Sequence, residues 1–143
     1  MKSIIIFCGL MICLSAGTVL AQGNLTVNIK GMKSNKGQCK LWLWNSADGF
    51  PTNEKKAVKS VEMPIAGLAG QYVFEDLPAG NYAVTAIHDE NGNHKLDTNF
   101  LGIPKEAFGC TNNVRGGLTG PPKFEPAKII VPKNGLTVEI DVK

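Results

Sequence analysis

Apolar and polar side chains alternate with a period of two through much of the chain beyond residue 24. In Asn24 to Lys30, Leu25, Val27 and Ile29 fall on one side and Thr26, Asn28 and Lys30 on the other, the pattern of a half-buried strand. Gln38 to Trp44 alternates as well, with Cys39, Leu41 and Leu43 facing one way and Trp42 and Trp44 the other. Both faces of that strand are apolar, so it is expected to be covered on both sides or to carry its rings outward. Val61 to Ile65 and Gln71 to Phe74 predict short strands. Asn81 to His88 sets Tyr82, Val84 and Ala86 against Ala83, Thr85 and Ile87, which predicts a central strand. Ala127 to Val131 and Leu136 to Val142 predict two more.

Glycine, proline and Asx residues fill the intervals. Gly31 to Gly37 reads as a turn, Asn45 to Ser60 as a loop with a short helix across Asn53 to Val58, and Leu101 to Gly109 with Thr111 to Pro122 as packed irregular chain. About seven short strands with scarcely any helix point to an all-β fold, an antiparallel β-sandwich.

The first 21 residues do not belong to that pattern. Lys2 is followed by the apolar stretch Ile4 to Leu20 and by Val19-Leu20-Ala21, the plan of a signal peptide cut after Ala21. Residues 22–143 are then expected to form one domain without a membrane span, exported to the periplasm or secreted. Removal of Met1 to Ala21 takes one lysine and leaves 14 basic against 12 acidic residues, a net of +2. That balance is too small, and the basic residues too scattered, to argue for nucleic acid or an anionic membrane as partner.

Two cysteines remain, Cys39 and Cys110. In an oxidising compartment a Cys39–Cys110 disulfide is favoured. Two buried thiols, or a reactive Cys110 assisted by Arg115, are the alternatives. Trp42 and Trp44 have two readings too: a stacking platform for a sugar, or core packing.

Candidate chemistry concentrates between Gly80 and Gly109. Taking Asp89 as the first position of a cation loop, Asn91 stands at three, Asn93 at five, Lys95 with its carbonyl at seven and Asp97 at nine. Leu96 is placed to pin the loop to the core. Carboxylate, amide and carbonyl oxygens at alternate positions suit Ca²⁺. Position six is His94 where glycine is usual, and position twelve is Phe100 where a bidentate glutamate is usual; Glu90 and Glu106 are the nearby replacements. Affinity is therefore expected to be weak, on the order of 10⁻⁴ to 10⁻³ M. The competing reading is turn chemistry alone, since Asn91-Gly92 favours a tight turn and Asx side chains bond their own backbone.

His88 and His94, with Asp89 or Asp97, make a second constellation that would suit a transition metal, although the spacing matches no zinc pattern. No triad motif is present, and Gly116-Gly117-Leu118-Thr119-Gly120 lacks the Lys-Ser/Thr ending of a phosphate cradle. The primary reading is a non-enzymatic exported module that binds a protein or glycan partner. The alternative is an envelope metal-handling protein or metal-dependent enzyme using His88, Asp89, His94 and Asp97.

FEDLPAGNYAVTAIHDENGNHKLDTNFLGIPKEAFG, followed by TNNVRG and GPPKFEPAKIIV, resembles the bacterial exported family known as domain of unknown function 2141. The resemblance covers nearly the whole chain after the signal segment. It implies a transthyretin-like or immunoglobulin-like sandwich outside the cytoplasm, with no assigned activity. Cys110 stands where that family's pattern leads one to expect Ser. HDENGN is also similar to loops of calcium-stabilised B-type repeats in surface adhesins, where an acidic residue occupies the neighbourhood of Phe100.

Overall fold

A computed structural model of the chain describes residues 22–101, 103–117 and 120–143, so the signal segment proposed for Met1 to Ala21 lies outside the described residues. The strands are β1 (Gln22–Lys30), β2 (Gln38–Trp44), β3 (Lys59–Met63), β4 (Gly70–Pro78), β5 (Gly80–Asp89), β6 (Phe108–Cys110), β7 (Ile129–Val131) and β8 (Leu136–Asp141). They form two packed sheets, one ordered β4-β1-β8 and the other β3-β2-β5-β6, with β7 paired to the start of β5. An all-β sandwich is the result. Among the described residues these strands pair antiparallel except β1 and β8, which run parallel.

Between the sheets lies a core of Leu25, Val27 and Ile29 from β1, Leu41 and Leu43 from β2, Val84 and Ala86 from β5, Phe74 and Ile140. Each such side chain stabilises the fold by roughly 1.5–3 kcal/mol through removal of apolar surface from water. A second apolar layer covers the outer face of the β2/β5 sheet. There Trp42, Trp44, Ala83, Ile87 and Cys110 pack under Phe124 and Ala127, with Phe50, Leu96 and Val114 against them. The doubly apolar patterns of β2 and β5 are thus explained by cover on both faces.

That second layer corrects the sugar-platform reading. Trp42 and Trp44 are buried, and their rings meet edge to face at 6.1 Å between centroids instead of lying flat side by side. The Trp44 indole donates to Thr85 Oγ1 at 3.0 Å, while the Trp42 Nε1 is buried without a partner.

The predicted disulfide is also corrected: both cysteines are free, buried thiols. Cys39 pairs with His88 across β5 on the inner face, whereas Cys110 pairs with Thr85, whose neighbours form the outer layer. Two strand spacings and a three-residue offset put them roughly 14 Å apart, beyond the ~7 Å a disulfide spans. The reactive-thiol alternative fails as well. Burial pushes Cys39 up to about 12 and Cys110 up to about 11, the latter against the pull of the Arg115 charge.

One side of the sandwich is closed by backbone. Phe108 of β6 and Lys143 beyond β8 exchange hydrogen bonds of 3.2 and 3.3 Å, which joins the two sheets. Gly109 permits this approach, since a Cβ there would lie 2.7 Å from Asp141 O. Among the described residues no helix is long and apolar enough to cross a membrane.

Candidate cation loop

β5 delivers His88 and Asp89 to its end while both are still buried. Asp89 then organises the chain that follows. Its Oδ1 accepts the N–H groups of Gly92 and Asn93 at 2.8 and 3.2 Å, and its Oδ2 accepts that of His94 at 2.8 Å. Charge-assisted bonds to backbone donors are the strong kind, so the carboxylate works as the internal anchor of the loop. His94, at the position where glycine is usual, adopts the left-handed region with φ +63. The sharp turn is made without glycine, at a steric cost the Asp89 bond offsets.

Asn91, Asn93 and Asp97 meet around one oxygen. Asp97 Oδ2 accepts from Asn91 Nδ2 at 2.7 Å and from Asn93 Nδ2 at 2.9 Å. The amide oxygens serve the backbone: Asn91 Oδ1 takes the Asn93 N–H at 3.0 Å and Asn93 Oδ1 the Lys95 N–H at 2.8 Å. Lys95 itself is exposed, and Leu96 packs on the outer layer as its place in the sequence predicts. Of the predicted ligand side chains, then, Asn91, Asn93 and Asp97 converge, whereas Asp89 is engaged by backbone N–H groups.

Glu106 joins them from the far end of the segment. Its Oε2 accepts the Asp97 N–H at 3.1 Å, and its Oε1 is buried with no hydrogen-bond partner. The carboxyl is held above its ordinary range, first by burial and further by the charges of Asp89 and Asp97; the Asp97 N–H opposes this. The Glu90 N–H also favours ionisation but does not bond Oε1. Glu90, Asn91, Asp97 and Glu106 line a cavity of about 400 Å³ together with Lys36 and Lys105.

A buried lysine ties the loop to the sheet. Lys40 Nζ, on the outer face of β2, donates to His94 O at 3.1 Å and to Glu54 Oε2 at 3.0 Å, stands 3.6 Å from Glu62, and sits 5.6 Å from the Trp42 ring centroid. Burial alone would raise the Glu54 carboxyl, but its bonds from Lys40 and Ser60 outweigh that and hold it low. Glu62 is held low chiefly by His94, whose Nδ1 lies 2.9 Å from Glu62 Oε1. Gln38 Nε2 also lies 3.0 Å from this nitrogen.

The two-histidine constellation is not assembled. His88 is buried on the inner side, where Nδ1 accepts from the Lys33 N–H at 3.4 Å and Nε2 donates to Lys36 O at 2.9 Å. Both ring nitrogens hold the Gly31–Gly37 turn. His94 is exposed on the outer side against Glu62, so the two imidazoles face opposite sides of the sheet. Among the described residues, no three His, Cys, Asp or Glu side chains are grouped to hold a metal ion.

The family model described as "Uncharacterized protein conserved in bacteria (DUF2141)" matches residues 27–139. The chain belongs to this family. No curated protein and no solved structure matches it. In this DUF2141 domain the TNNVRG segment is a staple. Thr111 Oγ1 donates to Ala127 O at 2.6 Å and accepts from Val84 N at 3.2 Å. Asn112 Nδ2 bonds Pro126 O and Lys128 O, and Asn113 Oδ1 accepts the Asp141 N–H. The Arg115 guanidinium donates to Phe108 O at 3.1 Å and Asp141 O at 2.9 Å, across the closed side of the sandwich. Thr111, Asn112, Asn113 and Arg115 thus all bond to backbone.

Lys40, Glu54 and Glu62 escaped the sequence reading. A single lysine inside an apolar run was the available signal for Lys40, since an alternating strand would otherwise put an apolar residue beside Trp42.

Proposed function

We propose that this chain is an exported, non-enzymatic β-sandwich module, transthyretin-like or immunoglobulin-like, whose 89–106 segment holds Ca²⁺ weakly and stiffens a surface used for binding. One observation carries the cation reading: Glu106 Oε1 is buried without a partner beside the charges of Asp89 and Asp97. Concentrated carboxylates around an unsatisfied oxygen are what a hard cation relieves. Asp97 and Glu106 would supply the charged ligands, and Asn91 would present its carbonyl oxygen after rotation of its amide. Asp89 would stay the backbone anchor.

The non-enzymatic reading is supported by how the reactive groups are used. His88 is committed to backbone at both nitrogens, Ser60 donates to Glu54, and the Cys110 thiol is pushed up to about 11 by burial. A nucleophile with a free base beside it is not among them.

Calorimetric titration of the domain tests the cation site. Ca²⁺ is expected to bind with Kd on the order of 10⁻⁴ to 10⁻³ M. Asp97→Ala is expected to abolish the heat while the far-ultraviolet dichroism stays native, because Asp97 is partly exposed and its side chain bonds only the Asn91 and Asn93 amides. An absence of heat with the wild type at millimolar Ca²⁺ would remove the reading.

A further inference from the structure

The two sheets end unequally. β8 and β6 are tied together by the backbone bonds between Phe108 and Lys143, which leaves β3 and β4 as the outer strands on the opposite side. β3 is blunted: it is five residues long, carries Lys59 and Glu62 and is followed by Pro64, devices that keep a sheet edge from pairing. β4 is nine residues long, and its first part, Gly70 to Phe74, holds neither charge nor proline. Its ladder is with β1 alone, and among the described residues no backbone hydrogen bond from elsewhere reaches Gly70 to Glu75. One row of N–H and C=O groups along β4 is therefore left without a protein partner. Tyr72 and Phe74 turn to the core, with rings edge to face at 4.9 Å, and Gln71, Val73 and Glu75 occupy the outer face.

We propose that β4 pairs antiparallel with β4 of a second copy of this chain, about a two-fold axis at Val73, and so joins two three-stranded sheets into one. The strand is self-complementary in that register. Val73 meets its own counterpart, Gln71 meets Glu75 of the other copy on the outer face, and Tyr72 meets Phe74 of the other copy on the inner one. An amide donor thus faces a carboxylate twice and aromatic pairs flank the axis twice, combinations that stabilise a sheet. The Glu75 carboxylates of the two copies fall four residues apart along the strands, roughly 14 Å, so like charges are not opposed. Moving the axis by one residue, to Tyr72 or Phe74, sets Val73 against Gln71 or Glu75 and loses both pairings. The register holds whichever alternate residues present their backbone groups, because the central pair of an antiparallel ladder can be of either hydrogen-bonding kind. Such an isologous contact closes at two copies. A single strand pair lies near the roughly 1,000 Å² that separates stable from transient interfaces, so the dimer is reversible.

Sedimentation velocity of the purified chain up to about 1 mM tests this, with dimer expected to form at a Kd on the order of 10⁻⁵ to 10⁻⁴ M. Val73→Lys, which sets two ammonium groups against each other on the axis, is expected to weaken the dimer roughly tenfold or more. Gln71→Lys is expected to tighten it several-fold by giving Glu75 of the other copy an ion pair, a gain that no folding defect produces. Val73→Cys puts the two Cα atoms about 4.5–5.5 Å apart, inside the range a disulfide spans, whereas Gln71→Cys leaves them roughly 14 Å apart. On mild oxidation the first is expected to give covalent dimer and the second not; Cys39 and Cys110 are buried and stay out of the reaction. Gln71 is exposed and Val73 half-buried on the outer face, so native dichroism accompanies each variant. A wild type that stays monomeric throughout overturns the proposal and gives the edge to a strand of another protein. So does a dimer that Val73→Lys leaves intact or Gln71→Lys fails to tighten, and so does equal cross-linking by the two cysteine variants.

Discussion

Replacing Asp89 by alanine is expected to cost about 3 kcal/mol of folding free energy, measured by urea denaturation. The side chain is buried and accepts the backbone N–H groups of Gly92, Asn93 and His94. Hydrogen bonds to a charged acceptor contribute about 1.5–3 kcal/mol each, and the sum is cut by non-additivity and by water reaching the freed donors at the loop surface. The loss also removes the acceptor of the His94 N–H and leaves the left-handed turn there held by Lys40 and Glu62 alone. Asp89→Asn keeps an accepting oxygen on one side and should cost about half as much. Asp97→Ala is the contrast. Its partners are the exposed amides of Asn91 and Asn93, and the cost should stay under about 1 kcal/mol. A loss below 1 kcal/mol for Asp89→Ala would show that Leu96 and Lys40 hold the loop unaided.

Thr111→Val is expected to cost about 2–3 kcal/mol, although the two side chains have nearly the same shape. Thr111 is fully buried, and its hydroxyl both donates to Ala127 O and accepts from Val84 N. Valine strands a buried carbonyl and a buried N–H at once, each worth about 1–3 kcal/mol when unpaired. Thr111→Ser keeps both bonds and loses one methyl, about 1 kcal/mol. The gap between the valine and serine variants therefore isolates the staple from packing. Equal costs would mean that the TNNVRG segment holds the fold by shape and not by its hydrogen bonds.

Periodicity revealed most of the sandwich because side-chain alternation is a local property. Leu25, Val27 and Ile29 point to the core in the structure as their spacing requires, and the doubly apolar β5 is central. Strand direction and partner choice are not local. Nothing in the patterns of β1 and β8 marks them as a parallel pair. Phe108–Cys110 is too short to show a period; it becomes a strand by pairing with β5, and Gly109 leaves room for Asp141 beside it. The disulfide expectation failed on register, since one position decides whether Cys39 faces inward and Cys110 outward.

The loop was legible in its Asx spacing and in Leu96, and less so in its ligand roles. Spacing says that Asp89, Asn91, Asn93 and Asp97 can converge; it does not say that Gly92, Asn93 and His94 will claim the first of them. Lys40, Glu54 and Glu62 are brought together by the pairing of β2 with β3 and by the loop between them, which no motif spans. Glu106 was in view as a replacement ligand, but its orphaned oxygen exists only in three dimensions.

The Glu106 carboxyl lies above its ordinary value of 4.5, so the fold disfavours its ionised form. The resulting penalty is fully present above the raised folded pKa, shrinks as pH falls below it, and is gone below the unfolded value of 4.5. Glu54 and Glu62 shift the other way, and the stability they confer is lost as pH falls through their lowered values.

Thermal melting of the wild type and Glu106→Gln at neutral pH, in chelator and in Ca²⁺ about tenfold above Kd, tests the cation loop most directly. In chelator the variant should melt at or slightly above the wild type, because the disfavoured charge is gone. Ca²⁺ should stabilise the wild type by about 1.4 kcal/mol, roughly 5 °C, and leave the variant unmoved. A wild type indifferent to Ca²⁺, or a variant that rises with it equally, would contradict a cation held by Asp97 and Glu106.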